Sequence, residues 1–337
     1  MTPRITLCPG QGAQAVGMGR AWREASPEAR AVFDEADRVL AGRLPGGATL
    51  SALCVDGPAE VLNRTDVSQP AIYVCSVASW HGMLARWGAK DAVRAGVVAA
   101  AGLSLGEYTA LHVAGAFSFR DGLELVALRG RAMQDAAEAA PSGMVALIGA
   151  TEEQAAQICR ETLAGHDGEV LVVANLNAPG QVVISGHRSA CERACAADGP
   201  VARAGLRATP LPVAGAFHSP LMAPAARRLG DALAKIRIES MHATVVSNVT
   251  ATPYAMHGAG VADQVRARLV EQLTAPVRWA QSCTWLAQGL WGGGTLGAGQ
   301  PGGGVEFHEL APGKTLAGLM RRIEKAIRVQ SHETPAD

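Results

Sequence analysis

The chain has 337 residues, 30 Lys+Arg against 30 Asp+Glu, 39 glycines and only 4% aromatic residues. At roughly 150 residues per domain the length gives about two domains, or one large domain with an insertion. The formal net charge of zero argues against a nucleic-acid binder, which carries a basic excess or stripe.

The opening MTPRITLCPGQG lacks the apolar core of a signal peptide, and no run of ~18 uncharged apolar residues offers a membrane span. Seven scattered cysteines without a CxxC pair suit free thiols in a reducing, cytoplasmic compartment. Ile5 to Cys8 reads as a buried strand ending in the tight loop Pro9-Gly10-Gln11-Gly12. Helical patterns follow at Pro27–Leu40 and Pro70–Trp87. Val97–Ala101, then Gly102-Leu103-Ser104-Leu105-Gly106, then Glu107–Ala114 reads as strand, sharp turn, helix. Asp121 is the expected N-cap of a helix over Gly122–Ala139.

From there the rhythm changes. Met144–Gly149, a helix from Thr151 to Leu163, Val170–Ala174, Gln181–Ser185, a helix over Ser189–Ala197 and Leu206–Pro212 give the order βαββαβ, the ferredoxin-like split. The expectation is an α/β protein with an α/β-hydrolase-like large subdomain, formed by residues 1–139 and 212–330, carrying a parallel sheet and a nucleophile elbow. A small ferredoxin-like subdomain, residues 140–211, is inserted into it. Helix 221–236, strand Thr244–Ser247, helices near Asp263–Leu273 and Val277–Gln288, strand Val305–Glu309 and a helix to about Arg328 complete the large part. The Gly-rich stretch Trp291–Gly304 reads as a flexible loop, and the tail 331–337 as disordered.

Gly102-x-Ser104-x-Gly106 sits where a strained strand-to-helix turn exposes a serine Oγ beside a helix N-terminus. Among nine histidines, His218 is the best base, because its loop Gly215–Pro220 falls where side chains converge on a sheet edge. His112 is the main rival and points along its own helix. Arg129 lies on an apolar helix, where pairing with a substrate carboxylate would justify a cation; Arg131, with Asp135 at i+4, reads as a surface pair. Gly10-x-Gly12-x-x-Ala15 imitates a dinucleotide fingerprint, but the acidic residues that should end a second strand, Asp34 and Glu35, fall inside a helix. Backbone amides of that loop are instead candidate oxyanion donors. His187, Cys191 and Cys195 share a helix face, and burial explains them better than a metal does; no metal site is expected.

In order along the chain, PGQGAQ at 9–14, GLSLGEY at 102–108, LRGRAMQ at 128–134, NAPGQVVISG at 177–186, GAFHSPLM at 215–222 and PGK at 312–314 resemble the malonyl-CoA:acyl carrier protein transacylase family over nearly the whole chain. The resemblance implies Ser104 as the acylated nucleophile and His218 as its general base. It implies an oxyanion hole from the Gln11 and Leu105 amides, Arg129 as holder of the malonyl carboxylate, and Gln272 as the residue whose main-chain carbonyl orients the histidine. Asn177 and Asn248 match positions near the site, and Phe217 matches the malonyl-selecting form of the motif. Leu103 stands where many members have histidine, and Ala311 where they have glycine.

The implied activity is ping-pong malonyl transfer from malonyl-CoA to the phosphopantetheine thiol of acyl carrier protein for fatty acid synthesis, by a monomer needing no cofactor. Arg207, Lys314, Arg321 and Arg322 are candidates to meet an acidic carrier. A stand-alone acyltransferase of polyketide synthesis shares the chemistry. A serine esterase or thioesterase is the other alternative, and it lacks an acid at a strand end between Ser104 and His218. A non-catalytic carrier-docking module does not account for an intact serine, histidine and arginine.

Overall fold

The computed structural model describes residues 2–289 and 304–337. A five-stranded sheet contains β1 (Arg4–Cys8), β2 (Val97–Gly102), β7 (Thr244–Val245), β8 (Glu306–Leu310) and β9 (Val329–His332), in the order β7-β2-β1-β8-β9. Every pairing in it is parallel. Parallel sheets are covered on both faces, and the strands show why these residues qualify. Ile5, Leu7, Ala99 and Ala101 pack with Trp279, Leu286 and Phe307 on one face. Cys8, Ala100 and Val245 join the helices of the other. Alanines in β2 let helices approach closely, which is where the low aromatic content goes.

The second sheet joins β3 (Ser142–Ile148), β4 (Leu171–Ala178), β5 (Gln181–His187) and β6 (Arg207–Pro210) in the order β4-β5-β3-β6, all antiparallel. Val145, Leu147 and Ile184 face helices 152–163 and 188–194 in a core of their own. Met144, Ala146, Ala174 and Val183 on the opposite face merge with the main core. Val277 ties the two parts, donating its N–H to the Ala174 carbonyl at 2.8 Å and accepting from Leu176 N–H at 2.9 Å.

Three expectations are corrected. The helix expected from Gly122 spans Phe119–Ala139, capped by Ser118. Ser118 Oγ accepts from Asp121 N–H and donates to Asp121 Oδ2, so the acid belongs to the first turn rather than the cap. The helix expected from Pro70 begins at Thr65 and carries Pro70 inside it. A proline there forfeits one backbone bond, but nearly every residue from Thr65 to Leu84 is buried, and that burial outweighs the loss.

The tail is ordered. The last helix stops at Ile323 and the chain returns as β9 beside β8. The His332 carbonyl accepts from Trp22 Nε1 at 2.9 Å, and Glu333 accepts from Gly313 N–H. Glu309 anchors this corner, its carboxylate accepting from Leu316 and Ala317 N–H and from Ser331 Oγ. The short polar segment QSHE carries no hydrophobic alternation, which is why it reads as a tail. The glycine-rich loop expected at 291–304 lies outside the described residues apart from Gly304.

Candidate active site

The site forms at the C-terminal end of the parallel sheet, where β2 turns into helix 106–113. Ser104 occupies the turn with φ 53°, a left-handed conformation costly to a non-glycine residue and characteristic of functional turns. Glycine on either side is a packing requirement. A Cβ on Gly102 would lie 1.9 Å from the Gly106 carbonyl carbon, and one on Gly106 would lie 2.1 Å from the Cys8 carbonyl oxygen. Gly10 likewise lets the 9–12 loop press against Leu103, bringing Gln11 to the turn. Among the described residues, the main-chain N–H groups of Gln11 and Leu105 have no internal acceptor.

His218 also has positive φ, 56°, on the loop between β6 and helix 223–233. Its Nε2 lies 2.8 Å from Ser104 Oγ, and its Nδ1 lies 2.7 Å from the main-chain carbonyl of Gln272. A carbonyl only accepts, so Nδ1 carries the proton and Nε2 offers a lone pair to the serine hydroxyl. Burial, reinforced by the Arg129 charge, pushes the His218 pKa down to about 4 against the opposing pull of that carbonyl. The imidazole is therefore neutral at physiological pH.

Arg129 is 1% exposed. It donates to Gln69 Oε1 at 2.7 Å, to Gln272 Oε1 at 2.9 Å and to Ser104 Oγ at 3.1 Å, over the Tyr108 ring. Its Nε has no hydrogen-bond partner, and no carboxylate lies within ion-pair distance among the described residues. A buried guanidinium with no counter-ion in contact is costly and is preorganised to receive an anion.

Asn248 holds the turn from behind, its Oδ1 accepting from Ser104 N–H at 2.6 Å and its Nδ2 donating to the Gly102 carbonyl at 2.7 Å. Phe217 is buried next to the base, its carbonyl held by Ser185 Oγ. Asn177 is the residue not brought in. It lies on β4 with its Oδ1 unpartnered, and it is absent from the contacts of Ser104, His218 and Arg129. His112 is turned away, bonded to the Phe117 carbonyl among Tyr73 and Phe119. His187 Nδ1 accepts from Val170 N–H, and Cys191 packs in the small core.

Three residues of the network escaped the sequence reading. Gln69 holds Arg129 but lies just before Pro70, outside the helix expected over Pro70–Trp87. Glu107 follows Gly106 in the first turn of its helix, where the sequence gives it no role, yet it is wholly buried. It accepts from Gln272 Nε2 and Tyr254 OH, both at 2.5 Å, and from Asn248 N–H at 3.3 Å. Burial raises its carboxyl to about 7 against those hydrogen bonds and the Arg129 charge. Tyr254 lies in an irregular segment with no motif around it.

The acyl transferase domain model matches residues 6–287. The chain belongs to the acyl transferase family. It is 38% identical to the malonyl CoA-acyl carrier protein transacylase of Salmonella typhimurium over 337 residues, 100% of this chain and 97% of that protein. The crystal structure of malonyl-CoA:acyl carrier protein transacylase from Xanthomonas oryzae pv. oryzae superimposes with a TM-score of 0.84 at 37% identity, covering 100% of this chain and 96% of that one. A malonyl-transacylase in complex with its type II polyketide acyl-carrier protein superimposes with a TM-score of 0.84 at 34% identity, covering 99% and 97%. The network around Ser104 brings a hydroxyl, an unprotonated imidazole nitrogen and a guanidinium together at one oxygen.

Proposed function

We propose that this acyltransferase moves the malonyl group of malonyl-CoA to the phosphopantetheine thiol of acyl carrier protein, supplying fatty acid synthesis. The observation that carries the reading is the meeting at one oxygen: Ser104 Oγ faces the unprotonated Nε2 of His218 and an Arg129 whose charge lacks a contacting carboxylate.

The turn at Ser104 acts as a nucleophile elbow on an α/β-hydrolase-like body. His218 takes the Ser104 proton, Oγ attacks the thioester carbonyl, and the Gln11 and Leu105 amides stabilise the tetrahedral oxyanion. The imidazolium is held by the Gln272 carbonyl instead of a carboxylate and returns its proton to the departing CoA thiolate. The carrier thiol then attacks the malonyl-serine ester by the same route reversed. Arg129 pairs with the malonyl carboxylate, moving from Ser104 Oγ as it does so, and Phe217 crowds an α-methyl group. Asn248 keeps the Ser104 amide in place. The chemistry calls for no cofactor, since both thiol carriers are substrates.

Residues 140–211, ordered β4-β5-β3-β6, serve as a ferredoxin-like lid on the large subdomain of 1–139 and 212–330. An acidic carrier is met locally, by the groove lined by Lys314, Arg321, Lys325 and Arg328. Arg322 is occupied with the Pro179–Gln181 hairpin turn, and Arg207 lies on β6 at the sheet edge. All the proposed groups come from one chain, which supports a working monomer. No described helix is long and apolar enough to cross a membrane, in keeping with a cytoplasmic enzyme.

The test is to supply malonyl-CoA with holo carrier protein and quantify malonyl-carrier against free malonate; malonate as the dominant product would indicate an esterase. The likeness to a transacylase bound to a polyketide carrier favours one second reading, supply of polyketide assembly. Comparing rates with fatty-acid and polyketide carriers separates the two.

A further inference from the structure

Arg129 and Glu107 are the two charged side chains of the buried network behind Ser104, and they are joined by a single amide. Gln272 Oε1 accepts from Arg129 while its Nε2 donates to Glu107 Oε2. The orientation of that amide is fixed, because Nε2 also donates to the Ser104 carbonyl at 2.9 Å, which only accepts whatever the protonation of Glu107. Glu107 is surrounded by donors: the Gln272 amide, Tyr254 OH and Asn248 N–H. The charged and titratable groups facing it are Arg129 through Gln272, Tyr254 from the segment after β7, and Tyr108 on its own helix. This arrangement gives the unliganded Arg129 a counter-charge held one side chain away.

We infer that Glu107 and the malonyl carboxylate compete for the charge of Arg129, so that binding of malonyl is coupled to protonation of Glu107, which thereby sets how selectivity for malonyl varies with pH. The inference rests on the assignment of Arg129 to the malonyl carboxylate. With malonyl bound, the site would hold two buried carboxylates against one guanidinium. Glu107, as the one without a direct contact to Arg129, takes up a proton from solvent to restore neutrality. An acetyl group brings no charge and asks for no proton. Glu107 already sits with its carboxyl raised to about 7 by burial, so the competition falls within the working pH range. Glu107 acts through Gln272 and does not touch substrate.

The test is the ratio of kcat/KM for malonyl-CoA to that for acetyl-CoA from about pH 6 to 9; titration of His218 is common to both substrates and cancels. The wild-type ratio should fall roughly tenfold as pH rises through this window, the effect of about one unit of coupling. Glu107→Gln should give a flat profile. Tyr254→Phe, which keeps the carboxylate but removes a donor that favours its ionised form, should move the inflection to higher pH and keeps the test open if Glu107→Gln does not fold. A flat wild-type profile, or an inflection that persists in Glu107→Gln or stays fixed in Tyr254→Phe, overturns the inference. An Arg129→Ala enzyme that keeps its malonyl preference would instead sink the carboxylate assignment beneath it.

Discussion

Replacing Arg129 by alanine separates selection from catalysis. The guanidinium is 1% exposed and holds three side-chain acceptors, but its Nε is free. A malonyl carboxylate would take the place of Ser104 Oγ and use that free donor, forming a charge-assisted pair in a water-poor site. Such a hydrogen bond contributes about 1.5–3 kcal/mol, so Arg129→Ala should reduce kcat/KM for malonyl-CoA by roughly 10- to 150-fold. For acetyl-CoA the sign differs. With acetyl the wild-type site keeps a buried cation with no carboxylate in direct contact, and alanine removes that cost, so acetyl transfer should hold steady or rise. Initial rates with the two thioesters, together with intact-mass measurement of the acyl-enzyme, read the ratio directly. Equal losses for both would refute the carboxylate role and return Arg129 to a scaffold for Ser104.

Truncating Phe217 to alanine should raise methylmalonyl-CoA use about tenfold relative to malonyl-CoA, since steric rejection of one methyl group is worth about 1–3 kcal/mol; an unchanged ratio of rates would show that the ring does not face the acyl group. Stability should fall on acidification. His112, His218 and His332 are each pushed down to about 4 by burial, so they contribute stability that is present above the ordinary 6.5 and lost as pH falls toward 4. Glu107, raised to about 7, works in the opposite sense. His81 and His308 are also lowered by burial and Glu309 is raised, so lowered histidines outnumber raised acids five to two, and the urea midpoint should fall as pH drops from about 6.5 toward 4; a pH-independent midpoint would contradict it. Deleting residues 329–337 removes β9 and the Trp22–His332 bond and should cost about 3 kcal/mol or more. A thermal midpoint equal to that of the full chain would mean the strand is dispensable.

The elements whose geometry follows from local chemistry are legible in the sequence. Gly102 and Gly106 flank a serine because a Cβ at either would strike backbone, and that demand is visible as spacing alone. The βαββαβ rhythm between Ser142 and Pro210 likewise survives as alternating apolar runs separated by turn residues. What stayed hidden depends on contacts distant in sequence. Gln69 meets Arg129 across 60 positions and Glu107 meets Gln272 across 165; nothing local distinguishes a buried acid serving such a network from one answering a helix dipole. Propensity alone makes Pro70 a helix start, and the burial of the helix on both sides of it overrides that preference. The tail reads as disordered because β9 is stabilised by pairing with β8 and by Trp22, 310 positions from His332.

The central claim is that Ser104, activated by His218, carries the malonyl group between two thiols. Intact-mass analysis after brief incubation with malonyl-CoA tests it most directly, run on the wild type, Ser104→Ala and His218→Ala. One malonyl adduct is expected on the wild type, disappearing on addition of holo carrier protein, with none on Ser104→Ala and slow formation on His218→Ala. An adduct that persists in Ser104→Ala, or one on the wild type that the carrier thiol cannot discharge, would contradict it.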